Sequence, residues 1–340
     1  MTSGLTFAVV MDPIASIDIR ADTTFVLMLE AQRRGHRLLY LEPSDLGVDA
    51  RGPVARVRPL TLRREVGRHA DLGEARVVAL DEAADVVLQR KDPPVDADYV
   101  TATQMLSLCR RALVLNRPEG ILAANEKLYA LHFSDLMPPT RVTRSIAELR
   151  AFLDELGGEM IVKPLDGRGG EGIFHVASRD RNLISILEQS TRFGTRPVMG
   201  QQYLPSVREG DKRILLVDGE PIGALLRIPP AHEHRANLHV GGRAAKTSLD
   251  EQDRRIVERL APSLRRDGLF FVGIDVIGGR LTEVNVTSPT GVQEIDAIEG
   301  RSLEVEILDG VERQLEAWRA GGYGRDRRAG RDRLATSVGN

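Results

Sequence analysis

The sequence has few of the features that mark exported, membrane-bound or nucleic-acid-binding proteins. It contains one cysteine, Cys109, so no internal disulfide can form, as is usual in a reducing cytoplasm. The net charge of -2 leaves no basic field for nucleic acid. No run approaches the ~18 apolar residues of a membrane span, and the first residues lack a signal-peptide pattern. We therefore expect a cytoplasmic protein that binds neither nucleic acid nor membrane.

The N-terminal third shows strands alternating with helices. With 340 residues, 42% of them hydrophobic, the chain is long enough for two or three domains. Two strand–helix–strand units predict a parallel sheet whose strand ends form a ligand crevice. The predicted elements are strand 5–11, helix 22–34 and strand 36–41, then strand 85–89, helix 97–111 and strand 113–116. Residues 47–80 are charged, weakly periodic and unassigned.

Residues 271–291 read as a β-hairpin around Gly278 and Gly279. A three-residue loop ending at Arg280 pairs Ile277 with Leu281, whereas a two-residue loop separates the two carboxylates that follow. We prefer the three-residue loop, which places Asp275 opposite Glu283 and Asn285 on the same side. Such hard oxygen ligands suit Mg²⁺ beside nucleotide phosphates. The alternative is an ordinary hairpin with its polar residues facing water.

Three loops supply groups for anions. Thr287–Gly291 is rich in hydroxyls and backbone donors, which can bind a carboxylate or phosphate oxygen. Arg90 and Lys91 end one predicted strand and Asp12 ends its neighbour, where an anionic substrate can be held; a solvated turn is the alternative. A glycine-rich loop that joins two strands follows Lys163, and its amides can approach phosphates. It matches neither the P-loop nor the dinucleotide pattern.

Other predicted segments surround these loops. Asn125–Lys127 lies in a helical stretch, helices cover about 145–156 and 181–193, and strand 198–203 leads to a hinge at Leu204. Residues 229–246 form a long polar loop, for which we favour a mobile lid over a site where its three histidines bind metal. A one-face apolar pattern predicts a packed final helix, and the tail from 321 should be disordered.

Taken together, these motifs resemble those of the ATP-grasp ligases, and specifically the prokaryotic glutathione synthetases. They occur in family order over about residues 7–315. The quoted motifs are Val10-Met11-Asp12-Pro13-Ile14, Glu30-Ala31-Gln32-Arg33-Arg34-Gly35, Arg90-Lys91-Asp92-Pro93-Pro94, Asn125-Glu126-Lys127-Leu128, Lys163-Pro164-Leu165-Asp166-Gly167, Gly210-Asp211-Lys212-Arg213 and Leu281-Thr282-Glu283-Val284-Asn285-Val286-Thr287-Ser288-Pro289-Thr290.

The resemblance implies an α/β fold with two α+β lobes. A preATP-grasp, Rossmann-like N-terminal domain would cover 1–122, and a two-lobed ATP-grasp fold would follow, with its central lobe at 123–200 and its C-terminal lobe at 201–320. The lobes would clamp ATP, and residues 321–340 would form the tail. A homo-oligomer, specifically a tetramer, is also implied.

The resemblance also implies roles for individual residues. ATP would contact Lys127, Lys163, Gly167, Gly169, Gly170, Gln202, Tyr203, Leu204 and Asp211. Mg²⁺, with Mn²⁺ as the alternative, would be held by Asp275, Glu283 and Asn285. γ-Glutamylcysteine would be bound by Asp12, Arg90, Arg213, Arg227, Ser288, Pro289 and Thr290. Catalysis would depend on Arg213, Arg227 and Lys163.

The implied reaction is the joining of γ-glutamylcysteine to glycine through an acyl phosphate, with release of ADP and phosphate. Such chemistry needs positioning and charge neutralisation more than a protein nucleophile, which fits these cations, amides and metal ligands. Pro230–His234 replaces a more glycine-rich lid, and Gln293 stands where some relatives carry arginine. Two alternatives stay open: an ATP-grasp ligase for another carboxylate and amine, and a nucleotide-binding regulator without turnover.

Overall fold

The computed structural model describes residues 4–167, 169–231, 233, 235–237 and 241–321. Three β-sheets follow one another along the chain, and helices pack against them, so the predicted α/β class is confirmed. Within the described residues, no helix combines the length and the apolar character needed to cross a membrane. The histidines of the predicted lid and residues 322–340 of the predicted tail lie outside the described residues.

The first sheet contains the predicted parallel core. Its strands are β1 Thr6–Val10, β2 Arg37–Leu41, β3 Leu46–Asp49, β4 Gly52–Leu62, β5 Ala70–Leu72, β6 Arg76–Ala79, β7 Val86–Gln89 and β8 Leu113–Leu115. β1 pairs in parallel with β2 and β7, and β7 pairs in parallel with β8. The unassigned stretch therefore forms antiparallel strands around β4, which pairs with the edge of β2. In β4, buried residues such as Ala55 and Val57 alternate with the exposed Arg56 and Arg58.

The helices of this region are α1 Thr23–Arg33, α2 Leu80–Ala83, α3 Ala97–Leu106 and α4 Pro118–Ala123. The carboxylate of Asp22 accepts a hydrogen bond from the Phe25 amide at 2.6 Å and caps α1, as predicted. α3 ends five residues earlier than predicted. The predicted helical stretch at Asn125–Lys127 is wrong: these residues form a turn between α4 and the 3₁₀ segment Tyr129–Leu136, and the Asn125 side chain accepts bonds from the turn's own amides.

The second sheet is antiparallel, in the order β11-β10-β12-β9. Its strands and helices are β9 Thr140–Thr143, α5 Ile146–Glu155, β10 Glu159–Pro164, β11 Phe174–Ala177, α6 Leu183–Ser190 and β12 Val198–Gln202. Each helix buries one face against this sheet, α5 through Leu149 and Phe152 and α6 through Leu187. The glycine loop joins β10 to the antiparallel β11, as the sequence predicts.

The third sheet, in the order β15-β14-β13-β16-β17, is also antiparallel. Its elements are β13 Asp211–Val217, β14 Glu220–Ile228, β15 Arg243–Lys246, α7 Glu251–Arg266, β16 Phe271–Ile277, β17 Arg280–Asn285, α8 Val292–Glu299 and α9 Leu303–Ala320. β15 corrects the prediction that 229–246 is a continuous loop, because residues 243–246 pair with β14.

The final helix packs on the first domain. Ile307, Leu308, Val311 and Leu315 of α9 are buried in one core cluster with Phe25 and Met28 of α1. The predicted one-face pattern is thus confirmed, and the face is covered by the N-terminal α1 as well as by the third sheet. The two ends of the described chain share a core.

Candidate active site

A cavity of about 840 Å³ lies where the three sheets meet. It is lined by every residue for which a site role is predicted. These are Asp12, Arg90, Lys127, Lys163, Gly167, Gly169, Gly170, Gln202, Tyr203, Leu204, Asp211, Arg213, Arg227, Asp275, Glu283, Asn285, Ser288, Pro289 and Thr290. The structure therefore brings these residues to one place, although their individual roles stay predictions.

The β16–β17 hairpin corrects the predicted loop and keeps the predicted face. Ile277 pairs with Arg280, so the turn is the two residues Gly278 and Gly279, which have φ of +55° and +72°. The register shifts next to Asp275, where the extra residue Thr282 makes a β-bulge and donates from Oγ1 to the Asp275 carbonyl at 3.1 Å. Asp275 consequently lies opposite Glu283 after all.

Asn285 completes this face. It pairs with Gly273, and its Nδ2 donates to the Gly273 carbonyl at 3.1 Å and to Asp275 Oδ2 at 3.3 Å. The opposite face of the hairpin is buried, with Ile274, Val284 and Val286 fully inaccessible. Apolar burial on one side thus holds three oxygen-bearing side chains toward the cavity on the other.

These side chains fit a hard divalent cation. Among the described residues, no three His, Cys, Asp or Glu side chains cluster closely enough to hold a metal by themselves. The hairpin offers two carboxylates and an amide, and the Asn285 amide donates through nitrogen, which leaves its oxygen for another ligand. Oxygen donors of this kind match Mg²⁺ and Mn²⁺ better than softer metals.

Two arginines from β13 and β14 surround Asp275. Arg213 donates from Nε and Nη2 to both carboxylate oxygens, and Arg227 Nη2 lies 3.0 Å from Oδ1. Burial alone would raise the pKa of Asp275, but the two guanidinium charges outweigh it and hold that pKa well below its usual range. Asp275 therefore stays ionised.

The same cluster contains atoms without partners. Arg227 Nη2 also donates to Asp211 Oδ2 at 2.5 Å, yet Arg227 Nε and Asp211 Oδ1 are buried without a hydrogen-bond partner among the described residues. Burial raises the pKa of Asp211 to about 6. Unsatisfied buried groups beside a cavity are expected where a ligand completes the network.

Two lysines approach the cavity from the other side. Lys127 Nζ contacts Glu283 Oε1 and the Gly167 carbonyl, each at 2.9 Å. Burial works against its charge, but Glu283 outweighs burial and raises the Lys127 pKa. Lys163 Nζ donates to Gln201 Oε1 at 3.1 Å and to the Thr282 carbonyl at 3.2 Å. Because it lacks a carboxylate in direct contact, burial lowers its pKa to about 8.

The N-terminal side of the cavity carries Arg90 and Asp12. Arg90 donates to Thr24 Oγ1 at 3.1 Å and to the Pro289 carbonyl at 2.9 Å, while its Nη1 is buried without a partner among the described residues. Lys91 pairs instead with Asp12 at 2.9 Å. Of the two predicted cations at this strand end, only Arg90 lines the cavity.

Sequence reasoning missed several lining residues. Gln201 bonds to Lys163, Glu126 bonds to the loop after β17, and Arg235 of the predicted lid donates to the Gly170 carbonyl at 3.1 Å. Outside the lining itself, His175 stacks on the lining residue Tyr203 with ring centroids 4.0 Å apart. Glu126 and Arg235 each stood beside a predicted feature, but the spacing of residues gave no signal for their distant partners.

Three sheets meeting at one cavity, with lysines and a glycine loop facing an acidic hairpin, define the class of protein: this is an ATP-grasp fold. The crystal structure of D-cycloserine synthetase DcsG has the same fold, with a TM-score of 0.66 at 16% identity over 91% of this chain and 99% of that one. D-Alanine–D-alanine ligase from Bacillus anthracis, solved with ATP, gives 0.57 at 15% identity over 93% and 99%.

Sequence comparison narrows the class to a family. The model for the prokaryotic glutathione synthetase N-terminal domain matches residues 5–121, and that for its ATP-grasp domain matches 126–300. Glutathione synthetase of Mesorhizobium japonicum is 47% identical over 91% of this chain and 98% of its own length, and that of Gloeobacter violaceus is 49% identical over 88% and 94%. The chain belongs to the prokaryotic glutathione synthetase family and is an ATP-dependent ligase.

Proposed function

We propose that this enzyme joins γ-glutamylcysteine to glycine, consuming ATP and forming glutathione, ADP and phosphate. The observation that carries the proposal is the convergence of Arg213 and Arg227, two lysines and an acidic hairpin in one cavity, in a chain that belongs to this family. Phosphoryl transfer to a carboxylate requires such an array of charges and no protein nucleophile.

ATP is held on the side of the cavity formed by the second sheet. Lys127 and Lys163 reach the phosphates, and the amides of Gly167, Gly169 and Gly170 cover them. Gln202, Tyr203 and Leu204, at the end of β12, receive the adenine. Asp211 lies further along the cavity toward the nucleotide. The support is that all of these residues line the same cavity and that Lys127 already contacts the glycine loop.

Asp275, Glu283 and Asn285 would hold Mg²⁺, with Mn²⁺ as the alternative, and a cation held there would supply positive charge to neutralise the transferred phosphoryl group. The protein supplies the rest of the electrostatics: Arg213 and Arg227 keep Asp275 ionised and stand ready to stabilise negative charge that develops on the substrate carboxylate and phosphate.

γ-Glutamylcysteine lies on the N-terminal side, against Asp12, Arg90 and the loop Ser288–Thr290. Its cysteinyl carboxylate attacks the γ-phosphorus of ATP, and ADP leaves. The glycine amine then attacks the resulting acyl phosphate carbon, loses a proton and expels phosphate. Arg235 and Asn237 line the cavity from the lid segment and exclude water from the acyl phosphate.

The direct test is ADP release by the purified protein with Mg-ATP and γ-glutamylcysteine, with and without glycine, together with product mass. Glycine-dependent turnover to glutathione supports the proposal. If ADP appears only with another carboxylate or amine, the enzyme is a different ATP-grasp ligase. If the protein binds nucleotide but releases no ADP with any carboxylate and amine tested, it is a nucleotide-binding regulator without turnover. The presence of all three proposed metal ligands argues against that alternative.

Three further points belong to the proposal. The domain boundaries are those at residues 122 and 200; the second sheet lies between them except for the end of β12, which continues to Gln202. The enzyme is a homo-oligomer, specifically a tetramer, which light scattering of the purified protein tests. It works in the cytoplasm, where its single cysteine, Cys109, stays a thiol whose pKa is raised by burial.

A further inference from the structure

Glu126 is a carboxylate to which the proposed function assigns no role. One of its oxygens, Oε1, accepts three hydrogen bonds: from the Val286 amide at 3.0 Å, the Thr287 amide at 3.1 Å and Thr287 Oγ1 at 2.8 Å. Its own carbonyl accepts from the Val284 amide at 3.0 Å. These partners lie about 160 residues away in the chain, at the point where β17 ends.

The segment held by Glu126 begins the loop Thr287–Thr290, here called the substrate loop. Arg90 fixes the far part of this loop through the Pro289 carbonyl, and Ser288 Oγ donates to the Arg90 carbonyl at 3.3 Å. The loop is therefore attached at its start by Glu126 and toward its end by Arg90. Three hydrogen bonds to one Glu126 oxygen fix the Val286 and Thr287 amides and the Thr287 hydroxyl together, so the start of the loop is held at three points.

A second side chain restrains the same point from the opposite direction. Asn116, directly after β8, donates from Nδ2 to the Val286 carbonyl at 2.7 Å and to the Phe271 carbonyl at 2.9 Å, and its Oδ1 accepts from the Phe271 amide at 2.7 Å. Val286 thus has its amide bound by Glu126 and its carbonyl bound by Asn116. The backbone on which the substrate loop is built cannot rotate without breaking these bonds.

We propose that Glu126 is a positioning residue that sets the substrate loop, through Val286 and Thr287, in the geometry that binds the carboxylate substrate. This inference rests on the proposed function, because the loop is assigned to γ-glutamylcysteine there. The role belongs to the acceptor oxygen rather than to the negative charge. In metal sites, replacing a side chain that orients a ligand group commonly lowers affinity or activity by about 10- to 100-fold, and we expect a loss of that size here.

The test compares Glu126→Ala, which removes the acceptor, with Glu126→Gln, which keeps it. Glu126→Ala should raise KM for γ-glutamylcysteine about 10- to 100-fold, while the Kd for a non-hydrolysable ATP analogue changes less than about threefold. Glu126→Gln should restore KM to within about threefold of wild type. The matched control is Glu30→Ala, which removes a more deeply buried carboxylate from α1 outside the cavity. It should lower Tm and leave both constants unchanged.

A readout that needs no turnover is amide hydrogen exchange. Glu126→Ala should speed exchange at the Val286 and Thr287 amides, and Glu126→Gln should not. The inference is overturned if hydrogen exchange at the Val286 and Thr287 amides is unchanged in Glu126→Ala. It is also overturned if KM rises equally for γ-glutamylcysteine and glycine, or if KM rises as much in Glu126→Gln as in Glu126→Ala. If the wild-type enzyme makes no glutathione, the proposed function fails separately, and hydrogen exchange alone decides whether Glu126 holds the loop.

Discussion

Two arginine–carboxylate networks in the described part of this enzyme differ in their burial and in what remains unbonded. The seam network, where α1 meets α9, comprises Glu30, Arg34, His36 and Glu312. The cavity network, on the third sheet, comprises Asp211, Arg213, Arg227 and Asp275. Both contain charges that would be costly to bury alone.

In the seam network, Arg34 uses all of its donor nitrogens. Nε donates to Glu30, Nη1 to Glu312 at 2.9 Å and Nη2 to the Val305 carbonyl at 2.9 Å. In the cavity network, Arg227 Nε and Asp211 Oδ1 lack partners among the described residues. The seam network joins two helices and is partly exposed, whereas the cavity network is buried and has unmet hydrogen-bonding capacity facing the cavity. That unmet capacity, together with the deeper burial, separates the two networks.

The largest expected effect comes from exchanging arginine for lysine in each network. Arg227→Lys keeps the charge but loses the planar guanidinium whose Nη2 contacts two carboxylates and whose Nε is unpartnered among the described residues, so kcat/KM should fall about 10³-fold. Arg34→Lys, the matched change in the seam, should leave kcat/KM within about twofold. ADP release measures both. Equal losses of kcat/KM in the two variants would show that the two networks do not differ in their contribution to activity.

Lys163→Met tests whether the cavity holds a charge at the expense of stability. We expect kcat/KM to fall about 10²-fold, since a phosphate contact is lost. The pKa of Lys163 in the folded protein, about 8, lies below the ordinary lysine value of 10.5, so the unfolded state binds the proton more tightly. Charged Lys163 therefore lowers stability below pH 8, and the cost fades as pH rises toward 10.5. The variant should gain about 1 to 3 kcal/mol at pH 7 in urea unfolding; a loss would contradict this reasoning.

Arg34→Met should lower stability and leave activity unchanged, the reverse of what we expect for Lys163→Met. It leaves Glu30 and Glu312 without their shared partner at a site where the Arg34 side chain is only 15% exposed. We expect the free energy of unfolding to fall by about 2 kcal/mol, with kcat and both KM values unchanged at 25 °C. Unfolding in urea and initial rates on the same preparation are the measurements. Altered KM would show that the seam reaches the cavity.

The smallest effect is a pH dependence of nucleotide affinity. Because only protonated Lys163 attracts phosphates, its pKa of about 8 predicts a Kd for ATP that rises about fivefold from pH 8 to pH 9. Titration calorimetry measures this, and Lys163→Met is the control, with no rise attributable to this group. An equal slope in the variant would assign the titration to another residue.

The acidic hairpin shows how far sequence reasoning extends. Alternation and the Gly-Gly pair were enough to predict that Asp275 lies opposite Glu283, and this pairing is confirmed. The loop length was wrong because two irregularities compensate: the turn is one residue shorter, and Thr282 adds a bulge. A bulge depends on what packs around both strands, which the local pattern does not contain.

Around the cavity, too, relations between residues close together in sequence were predictable, and contacts between distant residues were not. Lys163 and the glycine loop are neighbours in sequence, so their shared position at the cavity was predictable, while their role stays a prediction. Glu126 and Asn116 act on Val286 from 160 and 170 residues away, and nothing in their own neighbourhoods indicates a partner. The prediction of helix at 125–127 was wrong because the Asn125 side chain accepts hydrogen bonds from the Lys127 and Leu128 amides and stabilises a turn there, which the sequence pattern does not show.

The packing of α9 on α1 has a consequence for how the protein is made. The core beneath α1 takes side chains from Ile307 to Leu315, so the first domain lacks part of its interior until the last helix has been translated. While the ribosome synthesises the two ATP-binding lobes, the apolar face of α1 remains uncovered by α9. The N-terminal domain is therefore completed after the lobes that follow it, and a nascent chain stopped before residue 303 should depend on chaperones.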